Sequence, residues 1–157
     1  MWNVLWGFPG EQDAWYAETA RMIPSLYHLM PPRLVTRLRY DRYSVYQAQA
    51  AEYGLRLQAA EAMRMTYDLD PGLLDDLTYY FDAVPAPPPA GPGVRAMQRA
   101  VMDWSDAFWR GPLHPLLCVR DDGEALHFLD TRDQTAQFRV DGLSREIYLA
   151  CEDGCKI

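Results

Sequence analysis

Trp2 to Trp6 form a short apolar run that stops at Gly7-Phe8-Pro9-Gly10, the pattern of a buried strand entering a tight turn. Glu11, Gln12 and Asp13 then open a helix, acidic residues being suited to its positive N-terminal end. Trp15, Met22, Ile23, Leu26 and Met30 supply its apolar stripe, Pro24 predicts a kink, and Pro31-Pro32 end it. From Leu34 to Tyr40 apolar and polar positions alternate with period 2, the mark of a strand. Strand, long helix and strand in this order predict a βαβ unit with parallel strands.

A less regular stretch covers Asp41 to Leu69. Asp70-Pro71 is a helix start, an N-cap acceptor followed by proline at the first helical position. Leu73, Leu74, Leu77, Tyr80 and Phe81 are spaced as one face of that helix. Val84 to Gly93 (VPAPPPAGPG) holds five prolines and reads as a stiff, extended linker. Val94, Met97, Val101, Trp104 and Phe108 keep 3–4 spacing and predict a strong helix closed by Gly111-Pro112. Leu116–Arg120 and Ala125–Asp130 then flank Asp121-Asp122-Gly123, a hairpin signal, followed by a third strand at Gln137–Val140 and a helix over Leu143–Cys151. The fold class is therefore α/β, in three segments: 1–50 with the βαβ unit, 51–112 as a helical connection containing the linker 84–93, and 113–157 as a small α+β module.

The chain has 157 residues, the size of one domain, and its 49% apolar and 24% charged content is that of a globular protein. No stretch approaches the length of a membrane span, and the N-terminus lacks the basic start and cleavage site of a signal peptide, so the expected location is the cytoplasm. A net charge of −7 argues against a nucleic-acid partner. The basic residues are fourteen Arg and one Lys, a bias attributed mainly to coding composition. Three cysteines, Cys118, Cys151 and Cys155, do not make a disulfide framework, and His28, His114 and His127 have no partners at metal-ligand spacing. The chain opens almost inside an apolar strand, and a lone βαβ unit leaves one sheet face uncovered; further strands are expected upstream.

Asn3-Val4-Leu5-Trp6-Gly7-Phe8-Pro9-Gly10-Glu11 carries the most chemical information. Glycines at the C-terminal end of a strand let a ligand approach the backbone, although an ordinary strand–turn–helix corner has the same pattern. Arg33, Arg37, Arg39 and Arg42 are the dense basic stretch, suited either to a carboxylate or phosphate contact or to a solvated, ion-paired edge. Tyr40, Tyr43 and Tyr46 suit a peptide channel or plain packing.

The first of these segments resembles the strand and loop NxLxGxPGE of radical S-adenosylmethionine enzymes. His28-Leu29, Pro31-Pro32, Arg39-Tyr40-Asp41-Arg42-Tyr43-Ser44-Val45-Tyr46, Glu52-Tyr53-Gly54-Leu55, Leu129-Asp130-Thr131-Arg132 and Ile147-Tyr148-Leu149-Ala150-Cys151 follow in an order that resembles one branch, the cobalamin-binding C-methyltransferases that mature ribosomally made peptides. The resemblance implies the terminal strands of a partial (β/α) barrel, a helical connection and a truncated winged-helix-like module. It implies a C-terminal fragment of a peptide C-methyltransferase, not catalytic alone, with S-adenosylmethionine, a [4Fe–4S] cluster and cobalamin as cofactors of the full-length enzyme and a precursor peptide as partner. Leu5, Gly7, Phe8, Pro9, Gly10 and Glu11 are the implied cofactor-binding residues, and Arg37, Arg39, Arg42 and Tyr43 the implied substrate-binding ones. The chain departs from the family in lacking Cys-x3-Cys-x2-Cys, in carrying Val45 where the family has proline, and in lacking an upstream cobalamin region. The alternative is a stand-alone, non-enzymatic peptide-binding or partner protein; another radical reaction class is a third possibility.

Overall fold

A computed structural model describes residues 2–152. Among them are six α-helices and eight short strands in three small sheets, a mixed α/β arrangement with no closed barrel. The expected βαβ unit is present. Strand β1 (Val4–Trp6) leads through the Gly7–Gln12 loop into α1 (Asp13–Met22), and the chain returns to place β2 (Val35–Arg37) parallel to β1, with Val4 opposite Val35 and Trp6 opposite Arg37.

Proline ends α1 earlier than expected. Pro24 cannot donate into an α-helical ladder, and residues Ile23–Leu26 tighten into a single 3₁₀ turn. Of the predicted apolar stripe, Ile23 and Leu26 reach the core and the rest do not. Trp15, Met22 and Met30 are exposed; Tyr16, Ala20, Ile23 and Tyr27 face inward. Facing inward, the Tyr16 hydroxyl finds partners in the Gly7–Glu11 loop.

Beyond β2 the chain changes sheet. The predicted continuous strand 34–40 breaks at Leu38-Arg39, and β3 (Tyr40–Asp41) pairs antiparallel with β5 (Tyr80–Ala83). Between them lie α2 (Val45–Ala48), β4 (Leu57–Ala59) and α3 (Glu61–Thr66), within what the sequence pattern marks as irregular chain, and α4 (Pro71–Leu77), the helix expected from Asp70-Pro71. The second sheet has the order β3-β5-β4. Asp70 caps α4 as expected, its Oδ1 accepting from the Gly72 N–H at 2.9 Å. The helix does not reach Phe81: it stops at Leu77, and only Leu74 of the predicted stripe is buried. Tyr80 and Phe81 are aromatic residues suited to a pleated surface, and they go into β5.

Helix α5 (Pro92–Arg110) packs lengthwise on α1. Met97, Val101 and Trp104 form the main core with Ile23, flanked by Val4, Trp6 and Val35 from the parallel sheet. Trp104 is fully buried because its indole N–H has an acceptor, the Leu29 carbonyl at 2.9 Å. The last segment is an antiparallel meander, β6 (Leu117–Asp121), β7 (Ala125–Asp130) and β8 (Ala136–Asp141), followed by α6 (Gly142–Glu152). Its tight turn works through Asp122, whose Oδ1 accepts from the Glu124 and Ala125 amides, and through Gly123 at φ +92°. Phe128 stacks on Phe138 at 4.8 Å and meets Tyr148 of α6 edge-on at 5.3 Å. Arg132 ties this meander to the first body, pairing with Asp130 and donating from Nη1 to the Ser25 carbonyl at 2.5 Å.

Candidate functional site

The loop between β1 and α1 is built around one carboxylate. Glu11 Oε2 accepts from the Gly7 amide at 2.9 Å and from the Phe8 amide at 2.7 Å, and the Tyr16 hydroxyl donates to the same oxygen. The Gly7 N–H also lies 2.9 Å from Tyr16 Oη. The tyrosine is pushed up to about 12, first because it is removed from water and then because it donates to a carboxylate. Gly7 and Gly10 both sit at positive φ, +87° and +85°, which a residue with a Cβ adopts only at a cost. Pro9 and Gly10 make the turn between them. The consequence for binding is specific: the Gly7 and Phe8 amides are already satisfied by Glu11. A ligand at this loop finds these two amides already taken.

Two clefts open next to the loop and share the wall Thr36–Arg39. The first, of about 580 Å³, lies between this wall, α3 and the Pro-rich segment; it includes Arg37, Arg39, Glu61, Arg64, Asp82 and Pro87. The second, of about 540 Å³, lies on the face of the parallel sheet away from α1 and α5, and includes Asn3, Leu5, Leu34, Thr36, Val45 and Tyr46. Period-2 alternation places Leu5 and Thr36 on this bare face, while Val4, Trp6 and Val35 point to the core. The first cleft lies past the C-terminal end of β2, the position at which open α/β sheets hold ligands.

The four predicted substrate-binding residues separate. The Arg37 guanidinium lies over the Trp6 ring at 4.4 Å and donates to the Pro88 carbonyl, while its buried Nε has no partner. Arg39 lies over Tyr80 at 4.7 Å and is 3.7 Å from Asp41. Both line the two clefts. Arg42 lines neither. Its Nε donates to the Thr78 carbonyl at 2.6 Å, Nη2 donates to Asp75, and its guanidinium packs over Phe81, so it joins β3 to α4 and β5. Tyr43 is 85% exposed at φ +66° and also lies outside both clefts. Tyr40 and Tyr46 pack with Phe8 and Tyr53 in an aromatic chain.

Of the six predicted cofactor-binding residues, Leu5 lines the second cleft, Phe8 packs against Tyr46 beside it, Gly7 and Gly10 shape the turn with Pro9, and Glu11 holds the turn together. Arg64 and Glu61 on α3 are new to the site. No spacing links them to Arg37, because a change of sheet and a two-residue gap intervene. The described residues do not fit an iron–sulfur cluster. No three His, Cys, Asp or Glu side chains among them converge as metal ligands, and Cys118 and Cys151 are exposed on β6 and α6. Cys155 lies outside the described residues. Among the described residues no helix is long and apolar enough to cross a membrane. Comparisons with protein-family models, with curated proteins and with solved structures find no match.

Proposed function

We propose that this chain is the C-terminal part of a cobalamin-binding radical S-adenosylmethionine C-methyltransferase of peptide maturation, supplying one wall of the S-adenosylmethionine pocket and part of the peptide site. The observation that carries this reading is the bare face of the β1–β2 sheet. Parallel sheets are normally covered on both faces, yet here the face bearing Leu5 and Thr36 opens into a cleft beside the Gly7–Glu11 loop. In a (β/α) barrel that face is the interior. The finer fold reading, terminal strands of a partial barrel followed by a winged-helix-like module, belongs to the same proposal.

In such an enzyme S-adenosylmethionine generates the hydrogen-abstracting species and cobalamin provides the methyl group. The part assigned to this chain is binding and orientation. Leu5 offers an apolar surface for a planar adenine. Gly7 and Gly10 keep the loop backbone free of Cβ atoms on the ligand side. Glu11, clamped by two amides and Tyr16, keeps the loop in one conformation before a ligand arrives, which limits the ordering cost of binding. The described residues supply no cluster thiolates, so no cluster step is assigned to them.

The test is isothermal titration of the 157-residue chain with S-adenosylhomocysteine. The proposal expects saturable binding that Gly7→Val abolishes and Arg64→Gln leaves intact. The second reading, a non-enzymatic peptide-binding protein, is favoured by the arginine-lined cleft, which needs no cofactor; peptide binding without any adenosyl binding would select it.

A further inference from the structure

We propose that the cleft between the Thr36–Arg39 wall, α3 and the Pro-rich segment is a receptor for a single peptide carboxylate, held between Arg39 and Arg64 against the fixed cation of Arg37. This rests on the peptide-directed part of the function proposed above and on no cofactor.

The cleft inverts the charge of the molecule. The chain carries −7 overall, but three guanidinium groups line this cleft against two carboxylates, Glu61 and Asp82. The three arginines differ in freedom. Arg37 is immobilised by its stacking on Trp6 and its bond to the Pro88 carbonyl. Arg39 is steadied on one side by Tyr80, and its contact with Asp41, at 3.7 Å, is too long for a hydrogen bond. Arg64, on α3, makes no side-chain hydrogen bond or ion pair with another described residue and is exposed. One preset cation therefore stands beside two with donors to give.

The balance of charge selects the ligand. Asp82 is committed, its Oδ2 accepting from the Glu61 amide at 2.7 Å at the start of α3. These two carboxylates in the lining disfavour a doubly charged phosphate. Within the lining the arginines exceed the carboxylates by one, and Asp41, 3.7 Å from Arg39 in the adjoining cleft, takes up part of that excess; such a site suits a singly charged, planar carboxylate that a guanidinium meets with two parallel N–H bonds. The rest of the lining, Leu38, Phe81, Ala83, Val84, Ala86 and Pro87, suits an apolar stem carrying that carboxylate. A Glu or Asp side chain within an otherwise apolar peptide has this chemistry.

The experiment is fluorescence anisotropy with the full 157-residue chain and three labelled apolar hexapeptides: one with a single Glu and an amidated C-terminus, its Gln twin, and the Gln peptide with a free C-terminal carboxylate. The Glu peptide is expected to bind, and the Gln amide to bind at least about tenfold more weakly, the loss of a charge-assisted hydrogen bond. Arg39→Gln and Arg64→Gln are each expected to weaken the Glu peptide by about tenfold. Binding of the free-acid twin as tight as that of the Glu peptide assigns the site to a chain terminus and overturns the side-chain reading. Equal binding of the Glu and Gln amides, no effect of either arginine variant, no binding of the Glu peptide, or its displacement by inorganic phosphate at matched ionic strength overturns the proposal. Thermal melts of both variants exclude misfolding; if either is unfolded, Arg39→Lys and Arg64→Lys, which retain charge but not the planar fork, replace them, and undiminished binding by these would also contradict bidentate capture. S-adenosylhomocysteine titrated into the same samples separates failure of this site from failure of the adenosyl reading.

Discussion

The carboxylate of Asp13 caps a helix that begins 79 residues later in the chain, through its contact with Gly93: Asp13 Oδ2 accepts from the Gly93 amide at 2.7 Å, and Oδ1 from the Val94 amide at 3.1 Å. The N-cap residue of α5 is Gly91, which has no side chain to do this. Asp13 thus serves two helices, standing in the first turn of α1, where an anion is favoured, and closing the N-terminus of α5. The contact requires glycine on the other side. A Cβ at Gly93 would lie 2.0 Å from the Asp13 carbonyl oxygen, and one at Gly91 would lie 2.2 Å from Oδ1.

Asp13→Ala is therefore expected to lower stability by about 1–2 kcal/mol, the loss of a helix cap. Gly93→Ala should cost about 1–3 kcal/mol, because the clash is with backbone that cannot rotate away. Chemical denaturation of both variants checks this. A neutral Gly93→Ala would mean that α1 and α5 do not meet this closely.

Binding and stability should separate at two positions. Gly7→Val forces a branched residue to φ +87° and brings a Cβ to 3.2 Å from the Arg37 side chain. Arg37 has to give by only a few tenths of an ångström, so the larger effect falls on the loop conformation and on whatever binds there. Val101→Ala leaves a cavity in the core beside Trp104 and should cost on the order of 1–3 kcal/mol with the loop unchanged. Paired melts and S-adenosylhomocysteine titrations decide; normal binding by Gly7→Val would reduce the loop to a structural corner.

Alkaline pH should loosen the same loop. The unfolded Tyr16 ionises near 10, and in the folded chain its pKa is pushed up to about 12 by burial and by its bond to Glu11. Between these values the unfolded state holds fewer protons than the folded state, so stability falls as pH rises through the window. Stability measured from pH 8 to 12 should drop more steeply for the parent chain than for Tyr16→Phe. Parallel curves would contradict the Tyr16–Glu11 contact.

The uncovered face of the parallel sheet should make the isolated chain self-associate. Leu5 and Leu34 are both exposed there. Sedimentation velocity is expected to show concentration-dependent association that Leu5→Asn together with Leu34→Asn reduces. A monodisperse monomer at high concentration would count against a buried role for this face.

How much of this was legible in the sequence depended on whether the determinant was local. The Gly-Phe-Pro-Gly corner, the Asp70-Pro71 start, the Val94–Phe108 spacing and the Asp121-Asp122-Gly123 turn are each set by neighbouring residues, and all lie where their patterns put them. Tyr80 and Phe81 continued the helical spacing from Leu73 as well as they began a strand; the choice was made by pairing with β3 and β4, which no local pattern records. Trp15 and Tyr16 were equally good inward candidates until the position of Glu11 was known. At the site, Arg37 and Arg39 stood out as a dense basic stretch, but the diversion of Arg42 to the carbonyls of Asp75 and Thr78 and the arrival of Arg64 from α3 both depend on chain packing. Asp13 looked like an ordinary first-turn acid for the same reason.

The central claim, that the bare β1–β2 face and its loop hold the adenosyl group, is tested most directly by an NMR titration of the uniformly ¹⁵N-labelled chain with S-adenosylhomocysteine. The account predicts saturable shifts of the Leu5, Gly7, Gly10 and Thr36 amides, with those of Arg64 and of α6 unmoved. Shifts confined to Arg39, Arg64 and their neighbours, or no saturable shift at Gly7 and Gly10, would contradict it.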